Sequence, residues 1–154
     1  MLRSLMLGAA AGAAGTTALN VVTYLDMLTR ARPASSTPER TVEVMAERAG
    51  VAVPGDDDAR SNRLSALGAM SGIAAGVGVG AAYGLARGLG WRPSVATGAV
   101  LATVGALIGT NGPMTVLGVT DPRTWAAVDW VSDIVPHLAY GAVTAATYAA
   151  GEQP

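Results

Sequence analysis

The stretch Leu64-Ser65-Ala66-Leu67-Gly68-Ala69-Met70-Ser71-Gly72-Ile73-Ala74-Ala75-Gly76-Val77-Gly78-Val79-Gly80-Ala81-Ala82-Tyr83-Gly84-Leu85-Ala86 runs for 23 residues without a formal charge. A helix needs about 20 such residues to cross the hydrocarbon core of a bilayer. Short core helices of a soluble bundle carry a charged face every turn, and this stretch carries none. Within it Gly68, Gly72, Gly76, Gly80 and Gly84 recur every fourth position, and Gly88 continues the row beyond Arg87. Missing side chains at that interval let another helix approach backbone to backbone, so these six glycines are read as helix-packing positions, a glycine zipper. Four steps of about 100° overshoot a turn by about 40°, so the row winds round its helix and no single straight neighbour can use all of it.

Working outward, the charges divide the rest of the chain in the same way. Ser4 to Leu25 is uncharged for 22 residues, Pro93 to Thr120 for 28, and Ile134 to Gly151 is interrupted only by His137. The reading is therefore all-α, a single membrane domain over residues 1–154. Its four spans lie near 4–28, 64–87, 93–117 and 130–150, packed as a four-helix bundle. The first apolar stretch runs on to Leu25, past the length of a signal-peptide core, and is read as a retained helix. Gly8 and Gly12 on span one and Gly98, Gly105 and Gly109 on span three offer surfaces for the glycine row.

Composition agrees with this class. Apolar residues make up 51% of the chain and charged residues 14%, with a mean hydropathy of +0.39; a soluble domain has about a quarter of its residues charged. All ten basic residues are Arg, a codon signature of GC-rich bacteria. The chain has no Cys, which excludes disulfides, thiolate nucleophiles and Cys-ligated metals. A formal net charge of −1 speaks against nucleic acid as a partner.

The one long hydrophilic segment, 29–63, holds a short helix. Thr37 reads as its N-cap with Pro38 at the first helical position, and Gly50 as its stop. Val42, Met45, Ala46 and Ala49 follow one face, while Glu39, Glu43 and Glu47 follow another. Asp56-Asp57-Asp58 after the Pro54-Gly55 turn reads as a helix start that favours the positive dipole end, with a hard-cation site as the alternative. Further on, Thr110-Asn111-Gly112-Pro113 is expected to break or kink the third span. Asp121-Pro122 is expected to open a helix that runs through Trp125 and Trp130 into the last span.

That last span carries the main functional signal. Asp129, Asp133 and His137 are spaced i, i+4, i+8, and Tyr140, Thr144 and Tyr148 extend one polar strip. Asn20 and Asp26 form a weaker counterpart on span one. With four spans, connectivity brings Asp26, Asn111, Asp129 and Asp133 to one leaflet, with Asn20 and His137 deeper. These residues and Tyr140 are the candidate ion or proton path, since titratable groups inside a membrane are costly and His exchanges protons near neutral pH. The same strip read structurally is an interfacial ion-pair network with His137 as a packing residue. A metal site lacks a further ligand, and the single His excludes multi-His sites; no G-x-S-x-G, P-loop or H-E-x-x-H motif occurs. No catalytic residue, metal or cofactor is therefore assigned.

Arg30, Arg32, Arg40, Arg48, Arg60, Arg63 and Arg123 lie on the long-loop side, against Arg3, Arg87 and Arg92 on the other. The positive-inside rule then places the long loop in the cytoplasm and both termini outside, in a bacterial inner membrane. The segments Asn111-Gly112-Pro113-Met114-Thr115, Gly118 to Trp125 and Asp129-Trp130 through Pro136-His137-Leu138-Ala139-Tyr140-Gly141 resemble a family of small uncharacterised actinobacterial integral membrane proteins. The resemblance covers nearly the whole chain and implies the membrane class without an activity. The leading expectation is a non-enzymatic membrane subunit or assembly partner, with lipid and a second copy or another membrane protein as partners. A small transporter or proton-linked channel comes second, and an enzyme acting on lipid third.

Overall fold

A computed structural model describes residues 1–152, and these are all-helical with no strand. Helix α1 spans Leu2–Arg30, α2 Thr37–Arg48, α3 Asp57–Gly88, α4 Val95–Val116 and α5 Ala127–Glu152, with a 3₁₀ turn at Pro122–Thr124 before α5. Three of them, α1, α3 and α4, are long and apolar enough to cross a membrane. The 26-residue α5 falls outside that group because Asp129, Asp133, His137 and its Tyr and Thr residues lower its hydropathy.

Local chemistry sets the boundaries. The Asp56 side chain accepts from Ala59 N at 2.9 Å and so caps α3, as the helix-start reading of the acidic run expects. Ser94 caps α4 through Thr97 N at 3.1 Å. Gly90 and Gly118 take φ of 100° and 75° just past the ends of α3 and α4. There the amides of Trp91 and Val119 bond back to Ala86 O and Met114 O, and glycine supplies the left-handed residue such a closure requires.

Three expected boundaries move. α2 begins one residue earlier than its proline suggests: Ser36 is the cap residue without a side-chain capping bond, and Ser35 Oγ accepts from Thr37 N at 3.2 Å. α4 does not break at Asn111-Gly112-Pro113 but continues to Val116, because Pro113 forfeits one donor in the last turn while its carbonyl still accepts from Leu117 N at 2.9 Å. Asp121-Pro122 opens only the 3₁₀ turn, Asp121 accepting from Arg123 N at 3.1 Å. The chain then re-extends at Trp125, and α5 starts afresh at Ala127.

α1 packs along both α3 and α5, α4 packs along α5, α3 meets α4 over a shorter length, and α2 lies on α3. The α1–α3 seam is built from glycine. A Cβ on Gly12 would stand 2.9 Å from Gly80 Cα, and one on Gly8 would stand 2.7 Å from Gly84 Cα, so both backbones meet where neither helix has a side chain. Ser4 and Met1 close the far end against Gly88, and Thr16 covers Gly76. Gly68 belongs to a different neighbour, with Pro38 and Glu39 of α2 over it, and Gly72 faces open space. The winding row is thus divided between two helices. Gly98 sits under the Tyr83 hydroxyl and Gly105 and Gly109 under Val79, which forms the α3–α4 contact.

The interior is small and polar for its size. Ala11, Ala102, Ala106, Tyr83, Tyr140 and Tyr148 form the buried cluster, while Val21, Leu25, Met70, Ile73, Val100, Val104, Ile108, Val131, Val135 and Leu138 face outward. Thr16, Thr103 and Thr110 each donate to the carbonyl four residues back, at 2.8, 2.9 and 2.9 Å, so their hydroxyls are satisfied within their own helices.

Candidate functional site

α5 carries the strip as its spacing requires, and burial deepens along it. His137 is 7% exposed, Tyr140 1%, Thr144 0% and Tyr148 1%. The candidate residues do not gather into one cluster; the polar contacts between helices fall into four groups, and most of the candidates are spread over the first three.

The first joins α4 to α5. Asn111 Nδ2 donates to Asp133 Oδ2 at 2.8 Å. His137 Nδ1 lies 2.7 Å from the Asp133 carbonyl oxygen and 3.5 Å from its Oδ1, and His137 Nε2 lies 3.3 Å from Thr110 Oγ1. The second joins α1 to α5: Asp26 accepts from Arg30 at 2.7 and 2.6 Å and from Arg32 at 2.6 Å, and Arg30 Nη2 reaches Ser132 Oγ at 2.5 Å. Asp129 bonds to neither group, accepting from Ala126 N at 3.0 Å and so closing the first turn of its own helix, with its charge near Arg30. Asn20, on α1, is half-buried.

Tyr140 belongs deeper. Its hydroxyl donates to Gly76 O at 2.6 Å, bridging α5 to α3 through a carbonyl that the neighbouring glycines leave approachable. Thr144 Oγ1 is buried without a hydrogen-bond partner and points at Gly15 of α1, the slot a Cβ there would fill.

The fourth group, at the opposite end, was not anticipated. Arg87 of α3 bonds the Glu152 carboxylate at the end of α5, donates to Pro93 O at 3.1 Å, and lies 5.4 Å from the centre of the Tyr148 ring. Arg92 approaches the same carboxylate at 3.6 Å. Tyr83 packs edge-on against both Trp91 and Tyr148, at 5.7 and 5.4 Å between ring centres. The signal was present: Arg87 and Glu152 bound two uncharged stretches, and the connectivity that unites Asp26 with Asp133 also unites these two.

Outside the long helices, α2 is tied down by polar contacts. Glu43 accepts from Arg60 of α3 at 2.7 Å, and Arg48 Nη2 donates to Leu117 O at the end of α4 at 3.1 Å. The Arg60 hydrogen bond holds the Glu43 carboxyl below its ordinary value, and the Arg123 guanidinium does the same for Asp121. An open cavity of about 310 Å³ beside α2 is lined by Glu39, Glu43, Asp57 and Arg60 among others. Trp125 packs at a tilt against Trp130 with ring centres 5.1 Å apart and donates to Thr120 Oγ1 at 2.8 Å. Among the described residues no three His, Asp or Glu side chains converge as a metal-ligand set.

Chemically, the first group sets an imidazole and a carboxylate side by side between two helices, the second and fourth clamp helix ends, and Tyr140 locks α5 to α3. Comparison of the chain with protein-family models, with curated proteins and with solved structures gives no match.

Proposed function

We propose that the chain is a multi-pass, non-enzymatic subunit or assembly partner of a bacterial plasma membrane. In this reading α1, α3, α4 and α5 cross the bilayer as a four-helix bundle with a glycine-zipper seam between α1 and α3. The segment bearing α2 faces the cytoplasm and both termini lie outside. The observation that carries it is the inversion of polarity: Val21, Leu25, Met70, Ile73, Val100, Ile108, Val131 and Leu138 face outward, around an interior of Ala, Gly, Thr and Tyr. A soluble fold buries the first set and exposes polar groups; lipid, or another helix in lipid, suits the outward set. The polar strip is consumed internally, Tyr140 by the Gly76 carbonyl and Asp133 by Asn111, which favours a packing role.

Crosslinking in native membranes followed by purification tests the subunit reading. A defined second copy or a second membrane protein recovered in stoichiometric amount supports it, and a monomer with no crosslinked partner removes it. The convergence of Asn111, Asp133 and His137 favours a second reading, a small proton-linked transporter. Proteoliposomes whose pH-dependent flux is lost in Asp133→Asn and His137→Ala would establish that reading.

A further inference from the structure

The His137 ring is the one imidazole in the chain, and both of its nitrogens are met by oxygen atoms on packed helices. Nδ1 is 2.7 Å from the Asp133 carbonyl oxygen, which can only accept, so Nδ1 carries a hydrogen whatever the charge of the ring. Nε2 faces Thr110 Oγ1, and a hydroxyl both donates and accepts. With Nε2 protonated, Thr110 keeps its own proton on Ala106 O at 2.9 Å and offers Nε2–H a lone pair. With Nε2 bare, the Thr110 hydroxyl turns its proton onto Nε2, while Ala106 O retains its backbone bond within α4. The two protonation states therefore differ by the rotation of one hydroxyl hydrogen. No heavy atom moves.

We propose that Asp133 and His137, oriented by Asn111 and Thr110, form a reversible proton-binding site in the α4–α5 interface. The proton comes from water at the end of the molecule where the Asp133 side chain is 19% exposed, and it resides on His137 Nε2 with the Asp133 carboxylate 3.5 Å from the other ring nitrogen. The surrounding charges leave this pair to itself. From α4 only the neutral Thr110 and Asn111 face it. On α1, Asp26, Arg30 and Arg32 are bonded to one another and reach α5 at Ser132, and Tyr24 is exposed. α3 carries no titratable side chain between Arg63 and Tyr83, and on α5 Asp129 is engaged with Ala126 N and Tyr140 with Gly76 O. This inference does not depend on the subunit reading, since a packing protein and a transporter can both hold a titrating histidine.

Nitrogen NMR of the full chain in lipid nanodiscs, with ¹⁵N-labelled histidine, tests it directly because a single histidine leaves no assignment ambiguity. The expected neutral form carries its proton on Nδ1, the reverse of the preference of free imidazole, and acidification adds a second proton on Nε2. A neutral ring protonated on Nε2 overturns the proposal, as does an Nε2 that takes up no proton on acidification.

Discussion

Gly72 and Gly80 occupy the same row of α3, two turns apart, and answer to different surroundings. A Cβ at Gly80 would stand 2.5 Å from Gly12 Cα, a backbone atom that cannot move aside, whereas a Cβ at Gly72 meets nothing within 4 Å. Gly80→Ala should therefore destabilise the protein by about 1–3 kcal/mol, the usual cost of overpacking. Gly72→Ala should be neutral or stabilise by up to about 1 kcal/mol, because alanine is the better helix former. Reversible unfolding in mixed detergent micelles measures both, and equal effects at the two sites would contradict the seam. Gly76→Leu, with Thr16 and Tyr140 against it, should prevent folding altogether. Tyr140→Phe removes one buried hydrogen bond to Gly76 O and should cost about 0.5–1.5 kcal/mol in the same assay.

At the scale of elements, α2 is held to α3 by polar contacts more than by apolar burial: Met45 is exposed and Thr41 is its one buried residue. Its docking should consequently depend on pH. Glu43 has its carboxyl lowered from an ordinary value of 4.5 by the Arg60 hydrogen bond. A lowered folded value means that the contribution is fully present above the ordinary value and disappears as pH falls through the folded one. Hydrogen exchange of the α2 amides should accordingly quicken as pH drops below about 4.5, after correction for the intrinsic pH dependence of exchange. Glu43→Gln should flatten that response, and an unchanged profile in this variant would assign the effect to another carboxyl. The existence of these helices was legible in the sequence because uncharged runs and caps are local signals, as at Ser4 to Leu25 and Asp56. The course of the chain at Pro113 and after Pro122 was not. Whether a proline ends a helix depends on whether the following amides find carbonyls, and Leu117 finds Pro113 O. The candidate site was legible in part for a similar reason: connectivity gave the shared end of Asn111 and Asp133, but side-chain direction assigned Tyr140 to Gly76, Asp129 to its own helix, and Thr110 to His137.

For the whole molecule, the two ends of the helical array are fastened differently. One end ties α1 to α5 through Arg30 and Ser132 and α4 to α5 through Asn111 and Asp133; the other ties α3 to α5 through Arg87 and Glu152. On the four-span account these clamps lie near opposite faces of a bilayer, with Trp125 and Trp130 at one interface and Trp91 at the other. The absence of cysteine makes the account directly measurable, because each introduced cysteine is then the only thiol. Single cysteines at Arg3, Ser35, Arg92 and Thr124, probed with a membrane-impermeant maleimide on cells and on inverted vesicles, report which side each position faces. The account predicts that Ser35→Cys and Thr124→Cys label from the cytoplasmic side and that Arg3→Cys and Arg92→Cys label from outside. Labelling of all four from one side, or of Ser35→Cys and Thr124→Cys from opposite sides, would contradict it.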